Sequence, residues 1–167
     1  AAFRDAASAF RYRSDLPVQG RLAYVFGASQ SGRFLRQFLH DGFNTDEKNR
    51  RAFDLVWPHI AGAGQGSFNE RFASPGYNTF SATRFPFTDA GQAGPNGKQD
   101  GLLSPYSAEQ SPKVVYTNTS VEYWGLGRSA ALTHVTPDAA RDAAVPENVR
   151  IYHLAGTQHG EAAFPPA

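Results

Sequence analysis

Arg21-Leu-Ala-Tyr-Val-Phe26 runs directly into Gly27-Ala-Ser-Gln-Ser-Gly32, after which Phe34, Leu35, Phe38 and Leu39 recur at helical spacing. An apolar run, a turn of small residues and a helical period predict strand, tight turn and helix in succession. Similar strands are expected at Phe53–Trp57, Lys113–Asn118 and Val149–Leu154, each followed by a Gly- or Ser-containing loop. Near-continuous apolar strands with long or helical connections predict a mostly parallel sheet, covered on both faces, in an α/β domain. An opening helix over Ala2–Arg13 is expected to bury a stripe of Phe3, Ala6, Ala7 and Phe10.

Three motifs compete for the turn at Gly27–Gly32. A dinucleotide fingerprint needs glycine where Ser29 stands. A phosphate-binding P-loop needs Lys and then Ser or Thr after its second glycine, and Arg33 and Phe34 follow instead. A nucleophile elbow needs a serine on a sharp strand-to-helix turn with small residues two before and two after it. Gly27-Ala-Ser29-Gln-Ser31 meets that requirement, with Ser31 in place of the usual second glycine. The plainer alternative is that Ser29 or Ser31 caps a helix beginning near Gly32.

A serine hydroxyl is a weak nucleophile without a base, and the base needs an acid to orient it. In elbow-containing sheets the order along the chain is Ser, then Asp or Glu, then His, each at the carboxyl end of a strand. Glu122 follows the third expected strand, and His159 follows the fourth in Gly156-Thr-Gln-His159-Gly160. Ser29, Glu122 and His159 are therefore the expected catalytic residues, with the N–H of Gln30 as an oxyanion donor. His134 is the rival base, and Asp138 and Asp142 are rival acids. His153 is expected to be a packed core histidine inside the last strand. His40 falls on the helix after the turn, and His59 ends the second strand.

Bulk composition narrows the partners. The 167 residues carry 16 Lys+Arg against 15 Asp+Glu, so neither sign is in excess to hold nucleic acid. No apolar run approaches membrane-spanning length, and the start lacks the order of a signal peptide. The expected partner is a small-molecule ester. Zero Cys removes disulfides and thiolate chemistry and leaves the compartment open. No cofactor is called for, and no metal. Asn96-Gly-Lys-Gln-Asp100-Gly resembles a calcium loop only faintly, without its spaced carboxylates or closing Glu. The stretch 66–112 is rich in Gly, Pro and Ser but carries Phe68, Phe72, Tyr77, Phe80, Phe85, Phe87 and Tyr106. It is expected either to form a lid-like insertion or to pack on the main core.

At this point the chain resembles the large bacterial proteins described as α/β-hydrolase domain-containing proteins. The resemblance rests on Gly27-Ala-Ser-Gln-Ser-Gly-Arg-Phe-Leu-Arg-Gln-Phe-Leu39 with Asp41-Gly-Phe-Asn44, and on Pro58-His-Ile-Ala-Gly-Ala63 with Gly66-Ser-Phe-Asn69. It rests also on Tyr116-Thr-Asn-Thr-Ser-Val-Glu-Tyr-Trp124 and Val149-Arg-Ile-Tyr-His-Leu-Ala-Gly-Thr-Gln-His159. It implies a Ser-Glu-His arrangement on Ser29, Glu122 and His159, and a sheet of which only the C-terminal half is present over residues 1–167. Zero Met fits a segment of a longer polypeptide. Such a segment is expected to need the remainder of its own polypeptide, or a complementary chain, to fold. The activity implied is carboxylic-ester hydrolysis through an acyl-enzyme. Acyl transfer by the same residues, or a non-catalytic binding or structural role, are the alternatives.

Overall fold

A computed structural model of the chain describes residues 1–68, 70–73, 84–125 and 129–160. Four strands, β1 (Tyr24–Ala28), β2 (Leu55–His59), β5 (Lys113–Thr119) and β6 (Val149–Leu154), form one sheet in that order, every pair parallel. The short strands β3 (Gln92–Ala93) and β4 (Gln99–Asp100) make a separate antiparallel pair. The first two main strands begin two or three residues later than the apolar runs suggest, and β6 has the expected bounds. Register places Gly27 beside Pro58, Ala28 beside His59 and Thr119 beside Leu154, so the chain leaves β1, β2, β5 and β6 at one common edge. Parallel strands require this arrangement, and residues distant in sequence meet there.

Helix α2 (Gln30–His40) crosses back over the sheet and buries Leu35, Phe38 and Leu39 against Val25, Val56, Val114, Tyr116 and Val149. Strand side chains alternate between faces, so the neighbouring positions point away from α2. Tyr24, Phe26, Trp57 and Tyr152 on that second face are exposed. The expectation of a sheet covered on both faces is thus met on one face only among the described residues.

The opening helix α1 (Ala2–Tyr12) docks only part of the expected apolar stripe, with Ala7 against the core, and adds polar residues to the contact. Ser8 is its buried residue, and its hydroxyl donates to Asp46; Arg11 pairs with Asp54 at 3.2 Å and donates to the carbonyls of Arg51 and Ala52. Phe10 stays exposed, whereas Phe3 rests its ring against Phe34, Phe38 and Phe53. Ion pairs and carbonyl acceptors on the partner loop let polar residues dock beside the apolar part of the stripe.

Within 66–112, Phe87, Leu102 and Leu103 are buried. The Tyr106 hydroxyl donates to the Leu39 carbonyl at 2.7 Å and accepts the Asn44 N–H. The wholly buried Arg36 of α2 donates to the Phe87 carbonyl of this region and to the carbonyls of Ala63 and Gly64 just before it. Phe72 is exposed, and Tyr77 and Phe80 lie outside the described residues. Asn96 and Gly97 sit in the turn joining β3 to β4. No helix among the described residues is long and apolar enough to cross a membrane.

Candidate active site

Ser29 stands between β1 and α2 with φ 54° and ψ −114°, a conformation that side chains with a Cβ rarely adopt. Its N–H donates to the His59 carbonyl at 2.9 Å, and its own carbonyl accepts the Arg33 N–H, the first turn of α2. The hydroxyl makes no capping bond to the helix, so the helix-cap alternative for Ser29 does not hold. The turn is tight because Gly27 and Gly32 leave no room. A Cβ on Gly27 would lie 2.6 Å from the Ser31 carbonyl oxygen, and one on Gly32 would lie 2.9 Å from the Cβ of Ala61. Ser31 is exposed, which explains why a hydroxymethyl group is accepted there. Gly32, rather than the residue two after the serine, is the position at which α2 must approach the sheet closely.

The short helix α3 (Ser120–Trp124) follows β5 directly and opens on a capping box. The Glu122 side chain is 0 % exposed, and its Oε2 accepts the Thr119 N–H at 2.8 Å together with the Thr119 hydroxyl. The other oxygen, Oε1, lies 2.6 Å from Nδ1 of His159. Burial alone would raise the Glu122 pKa, but the two Thr119 donors and His159 outweigh it and hold the carboxyl below its ordinary value. The group is therefore an acceptor for Nδ1–H, which leaves Nε2 unprotonated in the neutral ring.

His159 lies in the loop after β6. That loop turns at Gly156, whose φ of 73° suits glycine, and the Gly156 N–H donates to the Ser120 hydroxyl, tying the loop to α3. His159 Nε2 is 2.9 Å from Ser29 Oγ. The structure thus brings Ser29, His159 and Glu122 into one hydrogen-bonded line, although 130 residues separate the serine from the histidine. Gln30 is the first residue of α2, directly behind Ser29.

The rival residues stand elsewhere. His134 meets the Tyr123 hydroxyl at 2.9 Å, His40 meets Asp100 at 3.1 Å, and His59 meets the Thr117 hydroxyl at 2.7 Å. Asp138 and Asp142 are exposed, and the Asp138 carboxylate accepts from Thr136 and the Ala140 N–H. His153 is exposed and not the core histidine expected of a strand position, because β6 is the last strand of the sheet. The sequence reading missed Thr119, which holds Glu122, and Gly32, which lets α2 approach the sheet. A Thr three residues before a Glu at a strand end is a capping-box signal that could have found the first. Among the described residues no group of three His, Asp or Glu side chains is placed to hold a metal ion.

No curated protein and no solved structure matches the chain. A family model described as an alpha/beta hydrolase domain matches residues 1–166, so the chain belongs to the α/β-hydrolase domain family, whose chemistry is of hydrolase type.

Proposed function

We propose that the protein is a serine hydrolase that cleaves carboxylic esters through an acyl-enzyme, with Ser29 as nucleophile, His159 as general base and acid, and Glu122 as the group that orients the imidazole. The supporting observation is the unbroken line Ser29 Oγ to His159 Nε2 at 2.9 Å and His159 Nδ1 to Glu122 Oε1 at 2.6 Å, with the serine hydroxyl not engaged as a helix cap. Nε2 takes the Ser29 proton as Oγ attacks the ester carbonyl carbon, and Glu122 stabilises the imidazolium that forms. The imidazolium then returns that proton to the departing alkoxide, leaving the acyl group on Oγ. Water, deprotonated by the same nitrogen, releases the acid and restores Ser29.

The negative oxygen of each tetrahedral intermediate needs donors, and the Gln30 N–H is the proposed first one. It opens α2, where helix geometry directs amide groups and positive potential outward. The test is hydrolysis of p-nitrophenyl acetate and butyrate by the polypeptide that carries this sequence. Ser29→Ala should lower kcat by roughly a thousandfold or more. Wild-type turnover in that variant would overturn the proposal.

A further inference from the structure

Beyond β2 the chain stays inside the molecule, and residues 60–65 are all buried. A buried loop must find partners for its backbone groups within the protein. The His59 carbonyl accepts the Ser29 N–H at 2.9 Å, and the Ile60 N–H donates to the Thr117 carbonyl at 2.7 Å. One peptide group, joining His59 to Ile60, therefore seats the Ser29 turn with its oxygen and is tied to β5 by its N–H. Two residues on, the Gly62 N–H donates to Oδ1 of Asn118 at 3.0 Å.

This turn holds two positive φ angles, 45° at Ile60 and 66° at Gly62. Glycine adopts such a conformation freely. A β-branched residue there is strained by about 1–3 kcal/mol and stays only where its surroundings impose it. Released, Ile60 would return to negative φ, and the rotation would swing the peptide group on which Ser29 rests.

Asn118, 2 % exposed, is placed to prevent that rotation. Its amide cannot be reversed, since Nδ2 would then set a donor against the Gly62 N–H. As placed, Nδ2 is buried without a partner among the described residues. Leucine at 118 would remove that unmade donor and create another at Gly62, so the two residues are close in stability. What asparagine adds is the fixed position of Gly62. The next residue, Thr119, holds Glu122, so Thr117, Asn118 and Thr119 together brace both the serine turn and the carboxylate.

We propose that Asn118 is a positioning residue of the Ser29 site: by clamping Gly62 it keeps Ile60 in its strained conformation and fixes the peptide group that seats the nucleophile. The inference rests on the reading of Ser29 as nucleophile.

The test is the rate at which a fluorophosphonate probe labels Ser29 in the whole polypeptide that carries this sequence, compared among variants that thermal melts show to be folded. Asn118→Leu keeps the size but loses the acceptor. It should slow labelling on the order of a hundredfold, the effect of a displacement of about 1 Å at a reacting centre. Adding Ile60→Gly to that variant should restore most of the rate, because glycine holds a φ of 45° without a clamp. A residue serving stability alone would give the reverse, since Ile60→Gly removes a buried side chain and adds backbone freedom. Should Asn118→Leu fail to fold, Asn118→Ser, too short to reach Gly62, takes its place with the same expectations. A folded Asn118 variant labelled at the wild-type rate, or a double variant as slow as the single, would overturn the proposal while the wild-type adduct upholds Ser29 as nucleophile. Wild type left unlabelled at Ser29 would overturn both.

Discussion

Glu122 uses both of its oxygens, one on the Thr119 donors that cap α3 and one on His159. Glu122→Gln keeps the volume and an acceptor oxygen but removes the charge that stabilises an imidazolium. Under the proposed mechanism kcat should fall on the order of a thousandfold with KM nearly unchanged, measured by steady-state ester hydrolysis. A second buried carboxyl gives a stability prediction of the opposite character. Asp89 lies beneath the sheet core, where burial pushes its pKa up to about 6, while Arg36 and the Tyr116 hydroxyl pull it down less strongly. Its folded value exceeds the unfolded 3.8, so the stability it contributes is present at acid pH and is lost as pH rises from about 4 to 6. Asp89→Asn should therefore be more stable than wild type at pH 7 by up to about 3 kcal/mol, with the difference vanishing near pH 4. Paired thermal melts across that range check it. Asp46, held well below its ordinary value by Ser8 and Arg50 against the opposing effect of burial, loses stability in the other direction, as pH falls. Comparing the variant with wild type at each pH removes that contribution.

Between elements, the approach of α2 to the sheet carries the next prediction. Gly32→Ala should destabilise by about 1–3 kcal/mol, because the added carbon would press on Ala61 and on two carbonyl oxygens that cannot retreat. Ser31→Gly, at an exposed position, should cost about 1 kcal/mol or less and leave ester hydrolysis near wild type. Denaturant melts of the two variants distinguish these positions. The α2 stripe at Phe34, Leu35, Phe38 and Leu39 was legible in the sequence because apolar side chains alone pay the cost of crossing an apolar sheet. Only part of the α1 face was legible: Phe3 and Ala7 pack as their spacing suggests, but Ser8 and Arg11 dock on Asp46 and Asp54, partners about 40 residues away. Exposure of His153 was hidden for a related reason: strand residues reveal their alternation, but not whether a neighbour stands beyond the last strand. Arg36 ties 66–112 to the loop after β2 through the carbonyls of Phe87 on one side and Ala63 and Gly64 on the other, a pattern without a sequence signature. The three residues of the proposed site were legible because strand ends of a parallel sheet converge, and order along the chain then limits which residues can meet.

Across the whole molecule, the face of the sheet opposite α2 presents Tyr24, Phe26, Trp57 and Tyr152 to solvent, with Phe26 and Trp57 in edge contact at 5.2 Å. Contiguous aromatic surface of this kind favours association. Residues 1–167 expressed alone should therefore self-associate at micromolar concentration, and a monomeric, cooperatively melting product in sedimentation and calorimetry would contradict that. At the carboxyl ends of the same strands, the proposed Ser29–His159–Glu122 line draws on three separate strand ends, so its integrity would report on the fold as well as on chemistry. The most direct test of the central claim is mass-spectrometric mapping of a fluorophosphonate probe on the polypeptide that carries this sequence. One adduct on Ser29, formed rapidly in wild type and lost in His159→Gln, is the expected result. A folded protein that leaves Ser29 unlabelled, or labels it equally well without His159, would contradict it.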